Sequence, residues 1–217
     1  MSRPLVVAIT GASGAVYAAR LLQVLLQRQC ELHVTISPSG RAVVKQELDV
    51  DLSADRLDVA SLINSLSKFG ITNNATEATQ AQVVTHHYQN FLAPIASGSF
   101  LTGGMVVCPC SGGTLSGIVH GASGNLVHRA ADVHLKERRR LVLVPRETPL
   151  STIYLDNLRR ASEAGAVVLP AMPGWYHGVK SLADLVDFVV ARILDQLDIP
   201  HHLMRRWGSD EVDQPNV

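Results

Sequence analysis

The chain has 217 residues, 47% of them hydrophobic, which is enough for one large domain with an apolar core. Its 19 basic and 19 acidic side chains give a formal net charge of zero, which removes the main electrostatic argument for nucleic acid or an anionic membrane as partner. No apolar run approaches the roughly 18 residues of a membrane span, and no signal peptide is recognisable, so we expect a cytoplasmic protein.

The first 50 residues predict a βαβ unit. An apolar run at residues 5–10 is typical of a buried strand, and residues 15–27 have the periodicity of an amphipathic helix. A second strand is predicted at residues 31–37, and a second helix at 38–47. Strand, small-residue turn, helix and strand in this order indicate a parallel sheet.

The small-residue turn after the first strand has three interpretations. Gly11 and Gly14 fit a dinucleotide-binding fingerprint, but Tyr17 stands where its third glycine belongs, and no acid follows the second strand. The hydroxyls of Thr10, Ser13 and Ser37 suit a mononucleotide better, and its anionic group would take free N–H groups at the helix N-terminus. The third interpretation is a tight turn that needs glycine for its backbone conformation alone.

The middle of the chain is less regular. A helix is predicted at residues 54–68 and an edge strand at 81–86. Residues 92–104, rich in Gly, Ser and Pro, are typical of a binding loop or lid. The adjacent His86 and His87 point in different directions and lack a third ligand at suitable spacing, so we expect surface residues and no metal site.

The third buried strand, predicted at residues 105–108, runs into a second small-residue turn. This turn again offers hydroxyls and free N–H groups at the start of a helix. Its residues are Ser111, Gly112, Gly113 and Thr114.

The three cysteines indicate a reducing compartment, because an odd number without disulfide-like spacing predicts free thiols. Cys108 and Cys110 flank Pro109 and form no C-x-x-C redox motif. We interpret them as small apolar residues of the core.

The segment from Arg129 carries the strongest site signal. A helix and a cationic run that includes Lys136 precede an unbroken apolar strand at residues 141–144, and Arg146 and Glu147 follow it. Ligands of parallel sheets bind at the carboxyl ends of strands. An Arg-Glu pair there, with a lysine upstream, suits an anionic ligand that needs charge compensation and a proton donor. The alternative is a solvated charge run and a turn ion pair.

The last third of the chain completes one predicted domain, residues 1–200. It contains a helix at 152–163, a strand at 166–169 and a long amphipathic helix at 181–197. The tail, residues 201–217, contains an apolar tryptophan and is expected to pack on the domain or on a neighbouring subunit.

Tyr176 and Lys180 have the spacing of the Tyr-x-x-x-Lys pair of short-chain dehydrogenases. That chemistry requires both side chains on one face of a helix. Because Pro173 and Gly174 precede the pair and Gly178 interrupts it, we predict a loop here.

Five segments occur together and in order: TGASGAVYAARLL, VVCPCSGGTLSGI, RAADVHLKERRRLVLVPRETPLSTIYLDN, LPAMPGWYHGV and VDFVVARILDQL. Together they resemble the flavin prenyltransferase (UbiX-like) family over roughly residues 4–208, and VPRETPL with the upstream LKERR is the most specific match. The resemblance implies a flavodoxin-like, Rossmann-type three-layer α/β sandwich with a parallel sheet. It also implies a dodecamer with sites at subunit junctions.

The resemblance further implies an activity. Members of the family join the prenyl group of dimethylallyl monophosphate to N5 and then C6 of reduced FMN, without a metal. The prenylated FMN serves a partner decarboxylase of the UbiD type.

Site residues follow from family position. FMN would be held by Gly11, Ala12, Ser13, Ser37, Ser111, Gly112, Gly113, Thr114 and Arg146. The prenyl phosphate would be held by Arg129, Lys136, Tyr176 and Arg192, with Glu47 and Ser97 nearby. Glu147 is the candidate acid–base between flavin N5 and the phosphate, Ser13 a proton relay, and Lys136 and Arg129 stabilise the leaving phosphate. Phe91 stands where some relatives carry a tryptophan, and it offers a weaker π-face to the allylic cation.

Two other functions remain open from the residues. One is an FMN-dependent cysteine decarboxylase of similar fold, although such enzymes lack the LKERR…VPRE phosphate cluster. The other is a non-enzymatic flavin carrier, which would have little use for several cations beside an acid.

Overall fold

Six parallel strands form the centre of the fold in this computed structural model, which describes residues 3–53, 57–72 and 83–206. In chain order they are β1 (Leu5–Ile9), β2 (Leu32–Ile36), β3 (Val83–His86), β4 (Gly104–Cys110), β5 (Leu141–Pro145) and β6 (Val167–Val168). They lie side by side in the order β3-β2-β1-β4-β5-β6, and each neighbouring pair is parallel.

Seven helices cover the two faces of this sheet within the described ranges. They are α1 (Ala15–Gln27), α2 (Pro38–Leu48), α3 (Val59–Asn64), α4 (Gly112–Val119), α5 (Leu126–Lys136), α6 (Thr152–Glu163) and α7 (Leu182–Gln196). Helices α1, α2, α3 and α7 share one apolar core with one face of the sheet, while α4, α5 and α6 share another core with the opposite face. The three-layer α/β sandwich is therefore confirmed.

The strands are apolar throughout because helices cover both of their sides. Successive residues of β1 point alternately into the two cores: Val7 and Ile9 into one, Val6 and Ala8 into the other. Every residue of β1, β2, β4 and β5 is buried. An unbroken run such as Leu141–Pro145 is what a strand covered on both faces requires.

The strand order reverses between β1 and β4. From β1 the chain moves outward through β2 to β3, and from β4 it moves the other way to β6. The loops after β1 and β4 consequently leave the sheet in opposite directions and open a crevice at its carboxyl edge. Ligands of doubly wound folds bind at this switch point.

Two predicted elements differ from the structure. The helix predicted at residues 54–68 is the short α3, followed by a 3-10 turn, Ser65–Phe69. It begins at residue 59 because Asp58 accepts a hydrogen bond from Ser61 N (3.0 Å) and caps the helix there. The edge strand is described from Val83, since residues 73–82 lie outside the described ranges, as do 54–56.

His86 is not a surface residue, as the sequence predicted, but a buried one. Its Nε2 lies 2.8 Å from Nδ1 of His33 on the neighbouring strand, and the two rings stack. Burial, and then the charge of His33, lower the pKa of His86 to about 4. In the part of the chain that the structure describes, no cluster of three or more His, Cys, Asp or Glu residues could hold a metal ion.

The C-terminal region is described as far as Arg206. Tyr176 and Lys180 lie on a loop, as predicted. His201 Nε2 and Arg206 Nη2, at the start of the tail, each lie 3.0 Å or less from Oδ1 of Asp195 on α7. Residues 207–217, including Trp207, lie outside the described ranges. None of the helices described is long and apolar enough to cross a membrane.

Candidate functional site

The turn between β1 and α1 is closed by a carboxylate. Oε2 of Glu47 accepts hydrogen bonds from the backbone N–H groups of Gly14 (2.9 Å) and Ala15 (2.8 Å). The expectation of free N–H groups here was therefore wrong for these two, because an acid from α2 fills the position an anion would take. Gly14 has φ 113°, which favours glycine, and a β-carbon on Gly11 would collide with Ser39.

Ser37 joins this turn to the end of β2. Its N–H donates to the carbonyl oxygen of Ile9 (3.0 Å), and its Oγ accepts from Gly40 N (3.0 Å), so Ser37 caps α2. A β-carbon on Gly40 would lie 2.7 Å from the Ile9 carbonyl oxygen. The glycine therefore lets α2 start directly beside β1, which places the Ser37 hydroxyl at the edge of the crevice.

The second turn, between β4 and α4, remains open. Ser111 caps α4 by accepting a hydrogen bond from Thr114 N (3.4 Å), and its hydroxyl donates to Thr114 Oγ1 (3.0 Å). Thr10 ties the two turns together, since its hydroxyl donates to the Pro109 carbonyl (2.8 Å) and accepts from Ser111 N (2.9 Å). A β-carbon on Gly113 would meet no described atom within 4 Å. The N-terminus of α4 is thus accessible to a ligand.

Arg146 and Glu147 form the third side of the crevice, directly after β5. Nε of Arg146 is buried and has no hydrogen-bond partner among the described residues, whereas Glu147 is exposed. The predicted Arg-Glu pair is therefore at the carboxyl edge, beside the turn that carries Ser111. We call these residues, with Gly11–Ser13, Ser37, Glu47 and Ser111–Thr114, the carboxyl-edge crevice.

The sequence reasoning missed Tyr154, which lies in the first turn of α6. Its ring packs against Gly112, and its buried Oη has no partner in the described part of the chain. Burial is the largest cause that raises the pKa of Tyr154 to about 12, and the charges of Cys110 and Glu147 add to it while Arg146 opposes it. An aromatic residue three positions after the helix cap Ser151 was the available signal.

A second group, the α5 cluster, contains Ser97, Arg129 and Lys136. Nε of Arg129 donates to the Ala96 carbonyl oxygen (3.0 Å), next to Ser97. Arg129 also pairs with Asp132 (3.0 Å), and Lys136 pairs with Glu137 (2.7 Å). The hydrogen bond from Lys136 is the largest cause that lowers the pKa of Glu137. These exposed pairs are weak, so an incoming phosphate can exchange with the carboxylates.

A third group, the α7 pair, consists of Tyr176 and Arg192. The ring of Tyr176 packs edge-on against Phe188, with centroids 5.7 Å apart. Arg192 pairs with Asp195 at 2.6 Å. Because α7 covers the opposite face of the sheet from α5, the α7 pair cannot meet the α5 cluster within one chain.

The predicted site residues therefore do not converge in a single chain. Lys136 ends α5 and lines a cavity of about 690 Å³ with residues that precede β5 and β6, at the amino edge of the sheet. Glu147 follows β5, and five residues of strand span about 16 Å. Phe91 lies exposed on the loop that follows β3. All these groups can contribute to one site only where several copies of the chain meet.

The crevice fits a planar nucleotide that carries an anionic group. It offers the accessible N-terminus of α4, the hydroxyl of Thr114 and the unpaired Nε of Arg146. Donors without acceptors are what an oxygen-rich ligand requires.

The sheet order and the crevice between two small-residue turns define a nucleotide-binding protein of the Rossmann type. The chain matches the Flavoprotein family model over residues 1–194. It is 46% identical to the flavin prenyltransferase UbiX of Pseudomonas aeruginosa, over 98% of both chains. The chain belongs to the flavin prenyltransferase family of flavoproteins.

Two solved structures are similar over nearly the whole chain. One is AnUbiX (PadA1) in complex with FMN and dimethylallyl pyrophosphate, with TM-score 0.82 and 38% identity over 96% of this chain and 99% of that one. The other is the dodecameric FMN-dependent UbiX-like decarboxylase of Escherichia coli O157:H7, with TM-score 0.78 and 39% identity over 95% and 99% of the two chains. The resemblance that the five sequence segments indicated is confirmed.

Proposed function

We propose that this protein transfers the dimethylallyl group of dimethylallyl phosphate to N5 and C6 of reduced FMN, without a metal. The observation that carries the proposal is the carboxyl-edge crevice, where the accessible α4 N-terminus and the unpaired Arg146 Nε lie beside the carboxylate of Glu147. Membership of the flavin prenyltransferase family supports the same reaction.

The crevice holds FMN through its small-residue turns. Ser111, Gly112, Gly113 and Thr114 form the start of α4, where the backbone N–H groups of the two glycines and the Thr114 hydroxyl would donate to FMN. Gly11, Ala12, Ser13 and Ser37 line the opposite side. Arg146 adds a positive charge. Bound in its reduced form, FMN supplies the nucleophilic ring atoms to which the allyl carbon becomes attached.

The cations stabilise the departing phosphate. When the C–O bond of the donor breaks, the electron pair stays on the phosphate oxygen and the allyl fragment becomes electron-poor. Arg129, Lys136 and Arg192 with the Tyr176 hydroxyl would bind that oxygen more tightly as its negative charge grows, which lowers the barrier. Phe91 offers its ring face to the allyl fragment. Ser97 and Glu47 line the donor pocket.

Glu147 is suited to proton transfer. Its Oε1 accepts a hydrogen bond from Thr148 N (3.2 Å), which orients the carboxylate while the side chain remains exposed. We assign to Glu147 the acceptance of the proton released as the first C–N bond forms, and its delivery to the phosphate. Ser13 relays the proton in this step and helps to orient the groups between which it moves.

The assembly follows from the separation of the three groups. We infer a homo-oligomer, a dodecamer as in the similar E. coli O157:H7 structure, in which α5 and α7 of neighbouring copies complete each crevice. The proposed partner for the product is a UbiD-type decarboxylase, and the proposed location is the cytoplasm. Neither nucleic acid nor a membrane is proposed as a partner.

The experiment is an anaerobic incubation with reduced FMN and dimethylallyl phosphate, followed by mass spectrometry of the flavin. A product heavier than FMN by one dimethylallyl group is expected. Lys136→Ala should abolish most of it, while Lys45→Ala, on the exposed side of α2, serves as the matched control. Unchanged FMN with the wild-type protein would contradict the proposal and leave two hypotheses, a cysteine decarboxylase and a flavin carrier. An assay for decarboxylation of a peptidyl cysteine distinguishes them, because only the decarboxylase would catalyse it.

A further inference from the structure

Two buried polar atoms at the carboxyl edge have no hydrogen-bond partner in the residues that the structure covers. They are Nε of Arg146 and Oη of Tyr154. Tyr154 as a whole is only 8% exposed, so water does not satisfy its hydroxyl. Buried polar groups are nearly always paired in folded proteins, and two unpaired ones beside a ligand crevice indicate an arrangement completed by the ligand.

The chemistry of three neighbouring groups is complementary. Nε of Arg146 can only donate a hydrogen bond, the carboxylate of Glu147 can only accept, and a phenol can do both. Pro145, directly before Arg146, pairs with Cys110 at the end of β4, and the ring of Tyr154 packs against Gly112, two residues after Cys110, so the three groups lie at the same part of the carboxyl edge. Burial, the largest cause, raises the pKa of Tyr154 to about 12, so the phenol keeps its proton at neutral pH.

The ring of Tyr154 is fixed from two sides. Ser151 caps α6 and accepts a hydrogen bond from Tyr154 N (3.2 Å), which sets the first turn of the helix. Cε2 of the ring lies 2.9 Å from the place of a β-carbon on Gly112, so the ring fills the space beside the α4 N-terminus. Arg146, by contrast, has a long side chain that can turn without moving the backbone.

We propose that Tyr154 is a positioning residue for Arg146 and Glu147. When a nucleotide draws the Arg146 guanidinium into the crevice, Nε donates to the phenol oxygen of Tyr154, whose O–H donates to Glu147. Tyr154 thereby holds the cation and the acid–base residue in one fixed arrangement. The inference deepens the proposed function and rests on it in one respect: FMN is the nucleotide that enters.

The test is a double-mutant cycle on the FMN dissociation constant, measured by quenching of flavin fluorescence. Tyr154→Phe removes only the hydroxyl and should weaken FMN binding about 5- to 30-fold in the wild-type background. Arg146→Lys keeps the charge but lacks Nε. In that background Tyr154→Phe should therefore raise the FMN dissociation constant by less than about twofold. The unfolding temperature of ligand-free Tyr154→Phe should be unchanged or raised, because no partner is lost.

Tyr88→Phe is the matched control, since Tyr88 is a half-buried phenol outside the crevice, and it should leave FMN affinity unchanged. Equal weakening by Tyr154→Phe in both backgrounds, or no weakening, would overturn the inference. Wild-type protein that binds no FMN would overturn this inference and the proposed function together. Wild-type protein that binds FMN but does not prenylate it would refute the proposed function alone. The double-mutant cycle on FMN affinity would then still decide the role of Tyr154.

Discussion

The carboxylate of Glu47 on α2 accepts a hydrogen bond from the backbone N–H of Gly14, 2.9 Å away, at the start of α1. In a dinucleotide-binding fold a phosphate group takes this place. Here a protein carboxylate fills it, while the N-terminus of α4 stays accessible. An anionic group of a ligand is therefore expected at the N-terminus of α4 and not at that of α1.

The Glu47 contact makes a prediction about stability. Glu47→Ala leaves the N–H groups of Gly14 and Ala15 without their acceptor, so we expect the free energy of unfolding in urea to fall by about 1–2 kcal/mol. Glu47→Gln retains an acceptor oxygen but loses the charge that favours a helix N-terminus, and should lose about half as much. An alanine variant as stable as the wild type would show that the contact does not cap α1.

Gly112 and Gly113 should respond in opposite ways to the same substitution. Gly112→Ala places a methyl group 2.9 Å from the buried ring of Tyr154, and overpacking of this kind lowers the free energy of unfolding by about 1–3 kcal/mol. Gly113→Ala enters open space and restricts the unfolded chain, which stabilises by about 0.4–1 kcal/mol. Denaturant unfolding of the two variants measures this; similar values for both would contradict the ring contact.

Glu147→Gln keeps the shape of the side chain but removes its titratable proton. We expect FMN to bind with wild-type affinity while prenylation slows by about 10²-fold or more. Single-turnover product formation, followed by mass spectrometry, is the measurement. Glu31→Gln, at an exposed residue directly before β2, is the control with the same chemical change. Wild-type turnover in Glu147→Gln would remove this residue from proton transfer.

His134 should make the protein sensitive to acid. Its Nδ1 faces the Ala130 carbonyl (2.7 Å) and must carry the proton, so Nε2 accepts from Thr102 (2.8 Å). Burial is the main cause that lowers the pKa of His134 from 6.5 to about 4. Between pH 6.5 and pH 4 this histidine is protonated in the unfolded chain but neutral in the folded chain. The free energy of unfolding therefore has its full value above pH 6.5 and declines as the pH falls. The loss by pH 4 is on the order of 3 kcal/mol.

Urea unfolding between pH 7 and pH 4 measures this dependence. His134→Gln, which has no proton to gain, should be less stable than the wild type at pH 7 but should lose less stability on acidification. A variant with the same pH slope as the wild type would assign the acid sensitivity to other groups.

Local patterns were sufficient to predict most of the fold. The unbroken apolar run at residues 141–144 predicted a strand covered on both faces, and β5, Leu141–Pro145, is such a strand. The start of α3 was predicted wrongly, because the helical periodicity of the sequence begins before Asp58. The side chain of Asp58 caps the helix, so α3 begins only at Val59. His86 was placed on the surface because one sequence does not show that His33 on the neighbouring strand would pair with it.

The site was predictable only in part, for physical reasons. The position of Arg146 and Glu147 was predictable because they follow a buried strand, and ligands of parallel sheets bind at the carboxyl ends of strands. The roles of Gly14 and Tyr154 depend on contacts with Glu47 and Gly112, and long-range contacts of this kind have no signature in spacing. The position of Lys136 at the opposite edge from Glu147 follows from the direction of β5.

The most direct measurement tests whether Lys136 and Glu147 act together from different copies of the chain. Lys136→Ala and Glu147→Gln, each nearly inactive alone, are co-expressed, and prenylated FMN is measured on the mixed assembly. If neighbouring copies supply the two residues, random mixing leaves about a quarter of the sites intact, and about a quarter of wild-type activity should return. If one chain supplies both, every site carries a defect, and mixed assemblies with no more activity than the separate variants would contradict the shared site.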